Sequence, residues 1–218
     1  MSLWERTAYA ASQRRRRRFS WLADSRDKSF KTHATAIGQL AIQWNLLHEA
    51  LGLVFLSVMQ GGHGNQYAQV WSAVPSDGAK REMLLAASEG AWLHPDAPEE
   101  QNRRRELVRA LVKELVKAAT ALEDARNNAI HAPLTVALNA LRPDFGAISP
   151  DISLNNKRAQ RLLNKDLLAE FRWCRDYAFV LGVFALALHE SLWNPQLKLP
   201  KLPPPKTKDQ DSGKGTQR

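Results

Sequence analysis

The sequence predicts an all-α protein built on four amphipathic helices in an up-and-down bundle, and three observations carry that expectation. Long apolar rows recur at spacings of three and four residues, the period of a helix face turned towards a core. Glycine and proline clusters cut these rows into segments, and connectors of moderate length favour antiparallel neighbours. Charge collects at the ends: residues 1–31 hold nine Lys/Arg against three acids, and residues 195–218 hold six against two. Residues 32–194 hold 16 against 17, so the formal +9 of the chain comes from its flanks. The organisation read from this is a basic N-terminal arm at 1–31, a helical body at 32–194 and a tail at 195–218.

In the arm, Arg14, Arg15, Arg16, Arg17 and Arg18 stand in succession. Such a block repels itself, so a disordered, solvated arm is expected, one that binds a polyanion such as nucleic acid. The first helix of the body follows from Ile37, Leu40, Trp44, Leu47, Leu51, Val54 and Val58, and it stops at Gly61-Gly62-His63-Gly64. A second, shorter helix is expected over 76–92, with Asp77 and Glu82 in or near its first turn and Pro95 and Pro98 beyond its end. The third runs from 98 to 131 on Leu107, Leu111, Leu115, Ala118, Leu122, Ala125 and Ala129, and Pro133 ends it. Residues 133–164 read as irregular, with Thr135–Leu138 and Ile148–Leu154 able to pair as a short hairpin. The fourth helix carries Phe171, Cys174, Ala178, Leu181, Ala185, Leu188 and Leu192. Pro200, Pro203, Pro204 and Pro205 then forbid helix, and a disordered Pro/Lys-rich tail is expected.

Several function classes drop out. A single cysteine, Cys174, leaves no intrachain disulfide framework. No CxxC or HxxxH spacing offers zinc ligands, so no metal site is expected. The most apolar run, Ala178 to Leu188, is shorter than the ~18 residues a bilayer demands, and Asp24 interrupts any N-terminal signal segment. A cytoplasmic address is the expectation. Gly61 to Asn65 lacks the Gly-Lys-Ser/Thr ending of a phosphate loop and reads as a turn.

The stretch that carries chemistry is Arg126-Asn127-Asn128-Ala129-Ile130-His131. A guanidinium neutralises phosphate charge as it develops, and an imidazole moves a proton near neutral pH. Arg126 shares a helical row with Leu115, Ala119, Leu122 and Ile130, so a charge lies on or beside an apolar stripe and needs a partner there. Five residues at ~100° each set Arg126 and His131 about 140° apart on a straight helix. Either the helix breaks at His131, or two copies of the element meet across a dimer axis.

Arginine, a polar residue and a histidine five positions on, late in the third long helix of an all-α bundle, resemble the Arg-x(4–6)-His signature of HEPN domains. The resemblance spans residues 32–194 and not the flanks. It implies a homodimer with a composite site and, in many members, metal-independent endoribonuclease activity in toxin or antiviral systems; other members are binding or scaffold modules. Pro133 departs from the subgroup whose motif continues His-x-Tyr, and Ala132 replaces a frequent glycine. Carried onto this chain, His131 would take the proton of the ribose 2′-hydroxyl, Arg126 would stabilise the phosphoryl oxygens, and Asn127 would orient one of them. RNA is then the substrate, no cofactor is needed, and an antitoxin or other partner protein goes with a toxin role. The alternative is a non-catalytic helical dimer that binds nucleic acid or protein.

Other candidates read as structural. Glu49 can pair with Arg126, although a solvent-facing carboxylate is the commoner fate. His48 and His189 read as surface or satisfied core groups, and Trp44, Trp92, Trp173 and Trp193 as core. Arg103, Arg104, Arg105 and Arg109 offer a second RNA-tracking face, or a merely solvated one.

Overall fold

The computed structural model describes residues 3–59, 64–90, 98–138, 146–151 and 155–204, with side chains from residue 28 onwards except at 64, 136–138, 146 and 147. The protein is mostly helical: α1 (Leu3–Met59), α2 (Gly64–Ala73), α3 (Asp77–Gly90), α4 (Glu99–His131), α5 (Lys157–Arg161) and α6 (Leu167–Trp193), with strands β1 (Leu134–Leu138) and β2 (Gly146–Pro150). The chain divides into two compact units. Residues 39–126 and 171–218 form a core unit, and residues 1–38 and 127–170 form a hairpin unit.

The disordered arm expected ahead of residue 32 is replaced by the N-terminal half of α1. Residues 3–37 contain neither Gly nor Pro, and Ala, Leu and Arg rank among the best helix formers, so nothing in the chain terminates the helix there. By length and composition a window within Lys28–Met59 is apolar enough to cross a membrane, at mean hydropathy 1.3, yet 56% of it is buried inside the protein, as in a core helix.

In the core unit the expected row on α1 holds from Leu40 to Val58, and every expected position on α6 is buried. On α4 the buried row is Val108, Val112, Leu115, Ala119 and Leu122, one position later at its start than expected, and Leu107 is exposed. Trp71 on α2 stacks on Phe55 with centroids 5.4 Å apart. Gly52 permits this approach, because a Cβ there would sit 2.7 Å from the Trp71 indole nitrogen. Ser76 caps α3 by accepting from the Ala79 amide at 3.1 Å.

In the hairpin unit β1 and β2 pair antiparallel, Leu134 opposite Pro150 and Leu138 opposite Gly146. The pairing starts as expected at 134–138 and ends at Pro150; residues 152–154, counted in the expected second strand, lie outside the described residues. The helix α5 within the stretch expected to be irregular is a further difference. Beyond Trp193 no helix or strand runs through 194–204, and the remainder of the tail lies outside the described residues.

Candidate functional site

The α4 helix delivers Arg126 to the edge of the core unit, half-buried, with its guanidinium carbon 5.6 Å from the centroid of the Trp44 ring. A cation at that distance from an indole face is attracted by the ring quadrupole. Glu49, the acid offered as its partner, is exposed and lines a shallow groove of about 250 Å³ between α1 and α6. An indole face is therefore one contact of the charge on the apolar row.

Trp44 is held in turn. Its Nε1–H donates to Asp77 Oδ2 at 2.7 Å, so the first turn of α3 fixes the ring that Arg126 faces. A second guanidinium, that of Arg81, lies 5.8 Å from the same ring. Arg81 is only 2% exposed and forms the centre of a buried polar network. It donates from Nε to Thr120 Oγ1 at 3.2 Å, from Nη1 to His48 Nε2 at 3.1 Å, and from Nη2 to the Glu123 carboxylate. The network joins α1, α3 and α4 directly beneath the last turns of α4 in this unit. The expectations from sequence do not include it, although the signal at Arg126 is also present here: Arg81, Leu84 and Ser88 form the buried row of α3.

The same geometry sets the state of His48. A guanidinium can only donate, so Nε2 of His48 must be an acceptor and its proton resides on Nδ1, which donates to the Trp44 carbonyl at 3.1 Å. Asp77 Oδ1 lies 3.9 Å from Nε2 and would make an ion pair only with a protonated ring. Burial pushes the His48 pKa below its usual value, against the opposing pull of the Trp44 carbonyl and of Asp77. Neutral His48 is the state that agrees with the hydrogen bonds.

The division between the units falls inside the hexapeptide, with Arg126 ending a segment of the core unit and Asn127 opening one of the hairpin unit. His131 is exposed and occupies the last turn of α4. The helix does not break before it: Ala132 N–H still donates to the Asn128 carbonyl at 3.2 Å. Asn127 and Asn128 are half-buried. Arg14 to Arg18 lie on α1, with side chains outside the described residues.

The remaining candidates resolve one by one. His189 is a satisfied group: its Nδ1 lies 2.6 Å from the buried Ser57 hydroxyl, which donates its one proton to the Leu53 carbonyl and so accepts from the imidazole. Arg104 donates to the carbonyls of Ser191 and Leu197, Arg105 to Asn102, and Arg109 approaches Glu89 at 3.8 Å, so this run is largely engaged within the protein. Trp173 stacks on Tyr177, whereas Trp193, expected in the core, is 67% exposed. Trp92 lies outside the described residues. The chain matches no family model, no curated protein and no solved structure.

Proposed function

We propose that this protein is a metal-independent endoribonuclease of the HEPN type, with a four-helix core and a composite Arg126–His131 site completed by a second copy of the chain. One observation supports it above the others: a guanidinium kept half-buried on an apolar helix row and braced by an indole, with an exposed imidazole in the last turn of the same helix. Of the two ways to bring arginine and histidine to one phosphate, the helix break loses support because α4 persists through His131. A symmetric dimer is the way that remains. An exposed apolar strip of Ile42, Leu46 and Leu53 on α1 with Phe179, Val183 and Leu186 on α6 is the kind of surface that another copy covers.

In this reading neutral His131 accepts the proton of the ribose 2′-hydroxyl as that oxygen attacks the adjacent phosphorus. Arg126 stabilises the charge on the phosphoryl oxygens, and Asn127 orients the imidazole or the phosphate. The P–O5′ bond breaks, and the partner's imidazolium returns a proton to the leaving oxygen. The products are a 2′,3′-cyclic phosphate and a 5′-hydroxyl. A toxin or defence effector role, with an antitoxin or other protein partner, fits such an activity.

The test is cleavage of a single-stranded RNA in EDTA by wild type, Arg126→Ala and His131→Ala. We expect cleavage by wild type with cyclic-phosphate ends and a loss of at least 100-fold in either variant, within the range general acid–base groups contribute. Undiminished cleavage by His131→Ala, or activity only with added metal, sinks the proposal. The second reading, a non-catalytic dimer, draws on the Trp44 contact, which gives Arg126 a structural role of its own. It expects Arg126→Ala to lower thermal stability in a protein that binds RNA without cutting it.

A further inference from the structure

The turn built on α5 in the hairpin unit is a cationic surface distinct from Arg14–Arg18 and from the Arg103–Arg109 run. Residues 155–165 carry Lys157, Arg158, Arg161 and Lys165 and no acid. All four side chains are exposed, and among the described residues none of them forms an ion pair. In the core unit, by contrast, Arg81, Arg104, Arg105, Arg109 and Arg175 each engage a neighbouring side chain or carbonyl.

This is a built element and not loose surface charge. Asn156 caps α5, its side-chain oxygen accepting from the amides of Arg158 at 2.9 Å and Ala159 at 3.3 Å. Ala159 and Leu162 are buried and seat the turn, which leaves the cations on its outer side. Asn164 adopts a left-handed conformation at φ 61°, and Lys165 N–H donates to the Leu162 carbonyl at 3.3 Å, closing the chain behind them.

Beside the turn lies an open cleft of about 560 Å³ that shares Asn164 and Lys165 with it. Ile148 and Leu163 give the cleft apolar wall, while Thr135 and Ser149 bring hydroxyls. Its far rim is anchored near His131: Asp151 N–H donates to the Pro133 carbonyl at 2.8 Å, and Thr135 follows His131 by four residues. Cations spaced along an ordered turn suit successive phosphates. An adjoining cleft of apolar wall and hydroxyls suits one unstacked base with its ribose.

We infer that the α5 turn and the adjoining cleft form a binding surface for single-stranded RNA, phosphates on Lys157, Arg158, Arg161 and Lys165 and a base in the cleft. This deepens the ribonuclease proposal by giving its substrate a path on the unit that carries His131, and it rests on that proposal for the identity of the polyanion. The experiment uses the full chain with His131→Ala, so that binding is read without cleavage, and a fluorescein-labelled single-stranded 20-mer RNA followed by anisotropy. Replacing the four cations by Gln is expected to weaken binding at least tenfold. The slope of log K against log salt should fall by about 2–3, each lost phosphate contact on a single strand accounting for about 0.7. Unchanged affinity and slope overturn the inference, and so does polyglutamate that competes as well as unlabelled RNA. Should the fourfold variant fold poorly, acetylation of Lys157 and Lys165 in the protein without those substitutions decides: RNA must protect them, and equal modification with and without RNA overturns the inference. The readout is binding, so an absence of cleavage by wild type would fail the ribonuclease proposal while leaving this surface standing or falling by its own result.

Discussion

Arg81 and Arg126 approach the same indole from two helices, α3 and α4, and their surroundings differ: one charge is fully buried in a polar network and the other is half-buried at the end of its unit's segment. Arg81 is sealed: its hydrogen bonds go to Thr120, His48 and Glu123, and it is 2% exposed. Arg126 is half-buried, with an aromatic face beside it and an exposed histidine five residues further on. A guanidinium locked into a complete set of acceptors cannot receive a phosphate without losing them.

That contrast is broken most severely at Arg81. Arg81→Ala leaves the neutral His48 without its donor and the Glu123 carboxylate without its cation. The expected cost is about 3 kcal/mol, the lower end of the range for breaking a buried pair, because Glu123 keeps 30% exposure and can hydrate. Urea denaturation measures it. Arg81→Met with Glu123→Leu should recover part of the loss, since a well-packed apolar pair avoids the desolvation of the ions. A cost below about 0.5 kcal/mol, the range of ordinary surface substitutions, would remove Arg81 from its place at the centre of the network.

How much of this was legible in the sequence follows from the physics of each element. The rows of α1 and α6 were readable because each helix has one apolar stripe sustained over many turns. On α4 both Leu107 with Leu111 and Val108 with Val112 are apolar, two stripes only ~100° apart, and packing alone selects the second. Five residues of α5 hold too little of a period to be recognised, and its Asn156 cap becomes visible only once the helix is known. Arg126 stands out because a charge occupies an apolar row and a histidine follows five residues on. Arg81 occupies such a row too, but α3 is short and brings no histidine beside it in the chain, so its role is visible only in the packing.

A moderate effect is expected at the ring the two arginines share. Trp44→Phe and Trp44→Leu both lose the donor to Asp77 and part of the core, at about 2–4 kcal/mol each. They differ in that Phe keeps a π face for Arg126 and Leu does not. RNA cleavage by Trp44→Phe should stay within about threefold of wild type and that by Trp44→Leu should fall about tenfold, the scale of one desolvated cation–π contact of about 1–2 kcal/mol. The two are compared at a temperature where circular dichroism shows both folded. Equal activities would mean that Trp44 braces Arg126 by bulk alone.

The smallest expected effect lies at His48, where the sealed side of the network meets pH. Its folded-state pKa is lowered, chiefly by burial, so the unfolded chain takes up this proton first as pH falls. The contribution of neutral His48 to stability is therefore fully present above the unfolded value of about 6.5, and it is lost as pH falls from there through the folded value. A protonated ring would also have to abandon the bond from Arg81, because its Nε2 would then be a donor facing a donor. Each tenfold gap in proton affinity between the two states corresponds to about 1.4 kcal/mol, or about 3–6 °C in a chain of this length. His48→Gln supplies an amide oxygen that accepts from Arg81 and does not titrate. Melting temperatures measured between pH 7.5 and 5.5 should decline less steeply in His48→Gln than in wild type, and parallel declines would mean that folding leaves the proton affinity of His48 unchanged. Arg126 contacts the same Trp44 whose carbonyl anchors His48, so a shift in the proposed cleavage with this transition would show that the buried network and Arg126 are coupled through that one residue.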